Sequence, residues 1–174
     1  RYLGLWDTVK AVGVLPWQIH WPYTNRLPNV RRCRHAVSID EKRRAFKHDP
    51  VASVAKDGSL EEVWFAGVHS DVGGTFDDDG PRLSTIALKW VVEAAVQEGL
   101  LVKRSAYEAA CTVETAHALA AVHRMGRIWT LATYKHRSVP DGASVHSSVQ
   151  ERRRQDPTYG VGRFQGEVSY VDPA

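Results

Sequence analysis

The fold of the chain is decided by one short run of residues, Glu62-Val63-Trp64-Phe65-Ala66-Gly67-Val68-His69. Five of its first seven residues are apolar, β-branched or aromatic, which is typical of a buried β-strand. The run continues into the glycine-rich sequence Ser70-Asp71-Val72-Gly73-Gly74. We therefore predict a strand over Glu62–Val68 that ends at a loop carrying His69.

A second strand is predicted at the start of the chain. Tyr2–Trp6 is short, apolar and aromatic, and the polar residues Asp7 and Thr8 end it. A buried parallel strand ends in this way when its last residues open onto a surface. Each of the two predicted strands is thus followed by a titratable side chain, Asp7 in one case and His69 in the other.

Helices are predicted from the spacing of apolar residues. This spacing favours a short helix over Asn29–Ser38 and a longer one from about Ser84 to Glu98, which should bury Trp90 against the sheet. Ser84 is a suitable N-cap residue for the longer helix.

A third helix is predicted to begin at Ser105, where a capping-box pattern occurs, and to end before Gly126. A strand candidate follows at Trp129–Tyr134. Strands that alternate with helices predict an α/β fold, in which a parallel sheet is flanked by helices.

Length and composition fit a single globular domain. The chain has 174 residues, of which 43% are hydrophobic and 25% charged, and most domains run to about 100–200 residues. No apolar run approaches the roughly 18 residues that a membrane-spanning helix needs. The two cysteines lack the close spacing of a zinc site. Residues 1–174 are therefore assigned to one domain.

Positive charge is concentrated in one segment of the chain. Residues 31–47 contain seven Lys or Arg and two carboxylates, a local charge of +5 in a chain whose net charge is +3. Such a cluster attracts phosphate groups, although it is more often a solvated face. No zinc finger, RNA-binding aromatic signature or heptad repeat accompanies it, so nucleic-acid binding is not predicted. Peripheral contact with an anionic membrane is the alternative, to which aromatic residues of a proline-rich loop would contribute: Trp17, Trp21 and Tyr23.

Asp7 and His69 are the candidate catalytic residues. In open α/β sheets ligands bind beyond the carboxyl ends of the strands, and we expect the two side chains to converge there from adjacent strands. A carboxylate that holds one imidazole nitrogen leaves the other free to take a proton from a nucleophile. Acid before histidine is the chain order of α/β-hydrolases, whose nucleophile comes earlier still. Turn and capping roles are the structural alternative for both residues.

The chain contains no nucleophile elbow. A search for Gly-x-Ser-x-Gly finds no match in the 174 residues. Ser59 follows Gly58 but lacks the second glycine, and Ser70 adjoins His69, where the ring is badly placed to activate it. The sequence therefore offers an acid and a base for this chemistry without a serine.

Four segments of the chain resemble one family of α/β-hydrolase domains, which includes type VI secretion phospholipase effectors. These segments are Leu3–Val9, Arg34–Glu41, Glu62–Gly74 and Gly142–Val149. The resemblance covers most of residues 1–160. Its Trp-Asp-Thr-Val and Gly-Val-His-Ser-Asp-Val-Gly-Gly motifs are specific.

The resemblance implies a partial α/β-hydrolase fold, the carboxyl-terminal part of one catalytic domain that lacks the amino-terminal nucleophile half. Asp7 would be the acid and His69 the histidine of a Ser-Asp-His triad, with the serine in the upstream part of the same polypeptide. The implied activity is serine-type ester hydrolysis of the phospholipase or lipase kind. Its substrate would be a lipid or another ester, no cofactor or metal is predicted, and the chain by itself is expected to be inactive.

Two other classes of function remain open. One is a non-catalytic α/β-hydrolase-like scaffold or binding module, in which a missing serine is expected. The other is a metal-dependent hydrolase built on His69, Asp71 and the acidic turn Asp77–Asp79. The spacing of these carboxylates matches no EF-hand loop, and an exposed acidic turn is the simpler interpretation.

Overall fold

The centre of the molecule is a five-stranded sheet in which every neighbouring pair of strands is parallel. The computed structural model describes residues 1–9, 24–77, 79–123 and 135–171. The strands follow one another across the sheet in chain order: β1 Tyr2–Trp6, β2 Arg32–Ser38, β3 Ser59–Phe65, β4 Ser144–His146 and β5 Ser169–Val171.

Helices flank this sheet, which confirms the predicted α/β class. The described ranges contain α1 His69–Gly73, α2 Leu83–Gln97, α3 Arg104–Cys111, α4 Thr115–Leu119, α5 Ser147–Gln155 and a short 3-10 helix, Arg44–Phe46. None of the helices in these ranges combines the length and the apolar character needed to cross a membrane.

Both faces of the sheet are covered by apolar side chains. Alternate residues of a strand point to opposite faces. Val63 and Phe65 of β3 pack in one core cluster with residues of α2, whereas Trp64 packs in a second cluster with Val145 of β4. Because both faces are covered, the buried half of β3 is apolar at consecutive positions rather than at every second one.

Residues 32–38 form a strand, so the prediction of a helix over Asn29–Ser38 is wrong. β2 lies between β1 and β3, and all of its residues, apolar and polar, are buried except the half-buried Arg32. Arg34 donates hydrogen bonds to Glu61 Oε2 (3.0 Å) and to the carbonyl oxygen of Trp90 (2.5 Å). Since such partners satisfy its polar residues, β2 does not need the continuous apolar pattern that identifies a buried strand, and its remaining apolar residues show a helix-like spacing.

The predicted helix that buries Trp90 is confirmed as α2. Trp90 is 2% exposed, and its ring lies 5.4 Å from the ring of Phe65 in β3. The prediction that Ser84 caps this helix is wrong, because α2 begins at Leu83 and Ser84 lies inside it. The N-cap residue is Arg82, whose side chain makes no capping hydrogen bond.

The predicted helix from Ser105 to before Gly126 is in fact two helices, α3 and α4. Thr112 has an extended backbone (φ −72°, ψ 119°) that ends α3, and its Oγ1 donates to the carbonyl of Glu108 (2.5 Å). Ser105 lies inside α3 and does not cap it. The predicted strand Trp129–Tyr134 lies outside the described residues. The aromatic loop residues Trp17, Trp21 and Tyr23 also lie outside them.

Candidate active site

Asp7 lies directly beyond β1 and is fully buried. Its backbone is in the left-handed region (φ 46°), which Asp adopts more readily than most residues because its short side chain hydrogen-bonds locally. The Asp7 N–H donates to the carbonyl oxygen of Ala36 in β2 (2.7 Å). The chain thus leaves the sheet at its carboxyl edge with Asp7 still bonded to the neighbouring strand.

His69 is the first residue of α1 and lies just beyond β3. Its Nδ1 is 2.8 Å from Oδ2 of Asp7, which is hydrogen-bond distance. The His69 N–H donates to Glu41 Oε2 (3.2 Å), and the ring of Phe46 meets the imidazole edge-on at 5.0 Å. The His69 side chain is 28% exposed, and its Nε2 has no hydrogen-bond partner among the described residues. The imidazole is therefore held at Nδ1 and open at Nε2.

Asp7 and His69 follow strands that are not adjacent. β2 lies between β1 and β3, so the expectation of adjacent strands is wrong, although the two side chains do converge. They meet over the end of β2, where Ser38 contributes two further hydrogen bonds to the carboxylate. Its N–H donates to Asp7 Oδ1 (2.8 Å) and its Oγ donates to Oδ2 (3.0 Å).

A buried arginine completes the surroundings of the Asp7 carboxylate. Nη1 of Arg137 donates to Asp7 Oδ1 and also lies 2.9 Å from Ser38 Oγ, while Nη2 donates to the carbonyl of Phe46 (2.5 Å). Burial alone would raise the pKa of Asp7, but the hydrogen bond from His69 and the charge and hydrogen bond of Arg137 outweigh it and lower the pKa to about 2. Asp7 is therefore a carboxylate at neutral pH.

Glu41 anchors the backbone of His69 from a second buried ion pair. Its carboxylate accepts from Arg43 Nε (2.9 Å) and Nη2 (2.8 Å) in a bidentate arrangement. Burial raises the pKa of Glu41, yet the hydrogen bonds and charge of Arg43 lower it overall. Glu41 thus stays ionised and available to accept the His69 N–H.

The loop between β3 and α1 depends on a glycine. Gly67 has φ +111°, and a Cβ built there would lie 2.4 Å from Cβ of Asp71. The Gly67 N–H donates to Asp40 Oδ2 (2.7 Å), and the Val68 N–H donates to Asp71 Oδ2 (2.8 Å). Asp71 therefore braces the loop that carries His69.

Asp78, one of the residues proposed for a metal-dependent alternative, lies outside the described residues, and the described ones form no common cluster. His69 pairs with Asp7, whereas Asp71 pairs with His123, whose Nδ1 is 2.5 Å from Asp71 Oδ1. Asp77 is fully solvent-exposed and lies 3.8 Å from Arg82.

In the part of the chain that the structure describes, a different trio, His35, His48 and Glu62, has donor atoms within 4.8 Å of one another. Two histidines and a glutamate form a known zinc ligand set. Here Glu62 Oε2 is 3.0 Å from His35 Nδ1 and 3.3 Å from His48 Nε2. Burial raises the pKa of Glu62, but its hydrogen bonds to the two histidines outweigh this effect and lower the pKa to about 2. The far nitrogen of His35 accepts from the Thr8 N–H (3.2 Å), so the protein itself supplies partners for both nitrogens of this ring.

Sequence reasoning missed four residues around the pair: Ser38, Glu41, Phe46 and Arg137. Ser38 and Glu41 lie in a segment whose family resemblance was recognised, and that resemblance was the available signal for them. Arg137 lies 130 residues from Asp7, and no local pattern marks it.

The fold and site define an α/β protein with a paired carboxylate and imidazole at the carboxyl edge of its sheet. Residues 1–94 match the family described as "T6SS, Phospholipase effector Tle1-like, catalytic domain", which is more than half of the 174 residues. The chain belongs to this family of type VI secretion phospholipase effectors, and both Asp7 and His69 lie in the matched segment. Membership indicates a lipase-like hydrolase with a lipid substrate. Comparisons with curated proteins and with solved structures gave no significant match.

Proposed function

We propose that Asp7 and His69 are the acid and the base of a Ser-Asp-His triad that hydrolyses ester bonds of phospholipids or related lipids. The observation that carries the proposal is the 2.8 Å contact between Asp7 Oδ2 and His69 Nδ1. This contact leaves His69 Nε2 on the accessible side of the ring, where a nucleophile can reach it. Family membership supports the substrate class.

In the proposed reaction, His69 Nε2 takes the proton of the serine hydroxyl while the serine oxygen attacks the ester carbonyl carbon. Asp7 keeps the second proton on Nδ1, which fixes the tautomer and stabilises the imidazolium. Nε2 then gives its proton to the alcohol oxygen as the bond between the acyl carbon and this oxygen breaks. Water, activated in the same way by His69, attacks the acyl-enzyme and releases the fatty acid.

The surroundings of Asp7 suit the role of triad acid. A pKa of about 2 keeps the carboxylate charged throughout the pH range in which an imidazole exchanges protons. Ser38 and Arg137 also fix both carboxylate oxygens, so the carboxylate is oriented before the imidazole becomes positive. Such preorganisation lowers the reorganisation needed during reaction.

No Gly-x-Ser-x-Gly occurs in the 174 residues, and the proposal takes from the family resemblance that the serine lies in an upstream part of the same polypeptide. The oxyanion hole of such folds uses the N–H after the nucleophile and one from an earlier loop. Removing even one oxyanion donor lowers turnover about 100- to 1000-fold. The 174 residues alone should therefore show no esterase activity above background.

The decisive experiment measures fatty-acid release from phospholipid by the protein extended upstream. His69→Ala should abolish turnover while circular dichroism shows an intact fold. His117→Ala is the control, because the His117 imidazole bonds to Glu114 at the start of α4 and to neither Asp7 nor His69. This control should lose no more than a few-fold in rate. Normal turnover after His69→Ala would overturn the triad.

A non-catalytic scaffold or binding module is the second candidate, and the missing elbow is the observation that favours it. The residues upstream of Arg1 discriminate between the two candidates. A strand followed by Gly-x-Ser-x-Gly supports the hydrolase, whereas a complete polypeptide without this motif supports the scaffold. Hydrolysis that a chelator abolishes would favour a metal-dependent enzyme over both.

Peripheral contact with an anionic membrane is part of the proposal. Arg34 and Arg43 are buried in ion pairs, so the support comes from the exposed basic residues of segment 31–47: Arg31, Arg44 and Lys47. Lys and Arg near an anionic surface attract it, and salt screens the attraction. Flotation with vesicles of anionic lipid tests this contact. Absence of binding at low salt would contradict it.

A further inference from the structure

A pocket of about 540 Å³ lies beside the Asp7–His69 pair. Two of the side chains that line this pocket also contact the pair. Phe46, whose ring meets His69 edge-on at 5.0 Å, forms part of its wall. Arg137, which donates to Asp7, forms another part. Neither Asp7 nor His69 lines the pocket itself, so a ligand there would contact side chains that in turn contact the pair.

The pocket is strongly cationic. Of its twelve lining residues, five are Lys or Arg, two are His and none is Asp or Glu. The five are Arg43, Arg44, Lys47, Lys135 and Arg137. Ser138 and Gln165 add neutral polar groups, and Phe46 and Trp64 add apolar surface. A small anion attached to an apolar body matches this combination of groups.

Not all of this charge is neutralised inside the protein. Arg43 is paired with Glu41, and Arg137 with Asp7. Lys47 and Lys135 are exposed and form no ion pair with the described residues. Their ammonium groups remain available to a ligand, beside two guanidinium groups that the protein holds in place.

Two distant segments of the chain build the pocket. The Lys135 N–H donates to the carbonyl of Lys42 (2.8 Å), and the Arg137 N–H donates to that of Glu41 (3.4 Å). Backbone hydrogen bonds thus hold residues 135–137 against residues 41–42. A merely solvated basic helix face would carry its charges on one element, whereas here two segments converge on one concavity.

We propose that this pocket binds the phosphate of the lipid headgroup and thereby places a fatty-acyl ester at His69. The inference rests on the proposed ester hydrolysis. Lys47 and Lys135 would contact the phosphate oxygens directly through charge-assisted hydrogen bonds. Apolar surface at Phe46 would contact the glycerol carbons between the phosphate and the ester. The phosphate is not altered in the reaction, so this pocket contributes substrate binding rather than bond cleavage.

The binding test uses the 174-residue chain, which is expected to leave its ligand intact, and dihexanoyl phosphatidylglycerol as a monomeric probe. Lys47→Gln combined with Lys135→Gln should weaken binding about tenfold in calorimetry. Lys56→Gln combined with Lys103→Gln is the control, because these lysines are also exposed and lie outside the pocket. Equal weakening by both pairs would mean general charge attraction and would overturn the proposal.

Inorganic phosphate distinguishes the two sources of this chemistry. It should compete with the short-chain phospholipid, but only at much higher concentration, because it lacks the glycerol and acyl contacts. Equal affinity for both probes would identify free phosphate as the ligand and would overturn the headgroup assignment.

Turnover by the extended protein separates this proposal from the triad. The Lys47 and Lys135 double variant should raise KM for phospholipid about tenfold and leave hydrolysis of an uncharged short-chain ester unchanged. An unchanged KM for phospholipid would overturn the headgroup pocket, even with the triad intact. If His69→Ala kept full activity while the lysine variant still raised KM, the triad would fail and the pocket would stand.

Discussion

Asp7 and Arg137 form a buried ion pair although 130 residues separate them in the chain. The two oxygens of the Asp7 carboxylate have different partners: Arg137 bonds to Oδ1 and His69 bonds to Oδ2. Arg137 stabilises the charged carboxylate but does not hold the imidazole. The same carboxylate is thus held by a residue of the family's matched segment and by one far outside it.

Removal of Arg137 should destabilise the fold strongly. Arg137→Ala leaves the Asp7 carboxylate buried without its counter-charge, and losing one member of a buried pair typically lowers the free energy of unfolding by about 3–5 kcal/mol. Urea denaturation measures the change. Arg104→Ala is the control, because its pair with Glu108 is an i,i+4 pair on the surface with Arg104 91% exposed, and such pairs contribute less than about 1 kcal/mol. Equal losses in the two variants would contradict the stabilising role of the buried pair.

The ionisation of Asp7 should make stability fall in acid. Its pKa in the folded chain is about 2, below the ordinary value of 3.8, so the unfolded chain binds the proton first as pH falls. The stabilisation is complete above about pH 5 and is lost as pH falls towards 2, a change of about 2 kcal/mol.

The measurement is the free energy of unfolding at pH 5 and at pH 2 for the wild-type chain and for Asp7→Asn. Glu62 also has a pKa lowered to about 2 and contributes to the acid loss in both proteins. Asp7→Asn should therefore reduce the acid loss without removing it. An identical acid loss in the two proteins would show that folding does not lower the pKa of Asp7.

Asp7→Asn should also depress turnover in the extended protein by about 10⁴-fold. An asparagine that keeps the geometry can favour the wrong imidazole tautomer, which leaves Nε2 protonated and unable to accept the serine proton. Steady-state hydrolysis measures the loss, and KM should change little because Asp7 does not contact the substrate. A variant within tenfold of wild-type turnover would remove Asp7 from the proposed triad.

Gly67→Ala should damage the loop that presents His69. Gly67 has φ +111°, and its added Cβ would lie 2.4 Å from Cβ of Asp71, so the loop has to move. Gly99→Ala is the matched control, since Gly99 has φ +96° but open space around its Cβ position. We expect a lower melting temperature for Gly67→Ala than for Gly99→Ala, together with loss of turnover in the extended protein. Equal melting temperatures would mean that the contact with Asp71 is relieved at no cost.

Local patterns predicted the elements whose buried side chains form an apolar run or one helix face: β1, the buried half of β3 and α2. The predicted strand Glu62–Val68 is observed as Ser59–Phe65, because its first half, Ser59–Glu62, is mostly polar and exposed or half-buried, and the chain leaves the sheet after Phe65. β2 was missed because Arg34 and His35 are polar in the sequence but buried in the fold, where Glu61 and Glu62 pair with them. Their partners belong to another strand, and a single sequence does not show which strand that is.

The candidate site divides in the same way. Asp7 and His69 follow predictable strand ends, and the family motifs add independent support for both. Arg137 has no such marker, because its position beside Asp7 results from the hydrogen bonds that hold residues 135–137 against residues 41–42. The cationic pocket was also hidden, since the sequence shows the basic segment 31–47 without the second segment that faces it.

The strand between Asp7 and His69 restricts which mutations the molecule can tolerate. Neighbouring strands lie about 4.8 Å apart, so the two residues start from positions about 9.6 Å apart and meet above the last residue of β2. That residue is Ser38, whose small side chain leaves room for the contact and bonds to it. A bulky residue there would fill the space in which the two side chains meet. Ser38 takes no part in proton transfer, yet only a small residue fits at this position. A choice of mutable positions that protects the reacting residues alone would overlook this constraint.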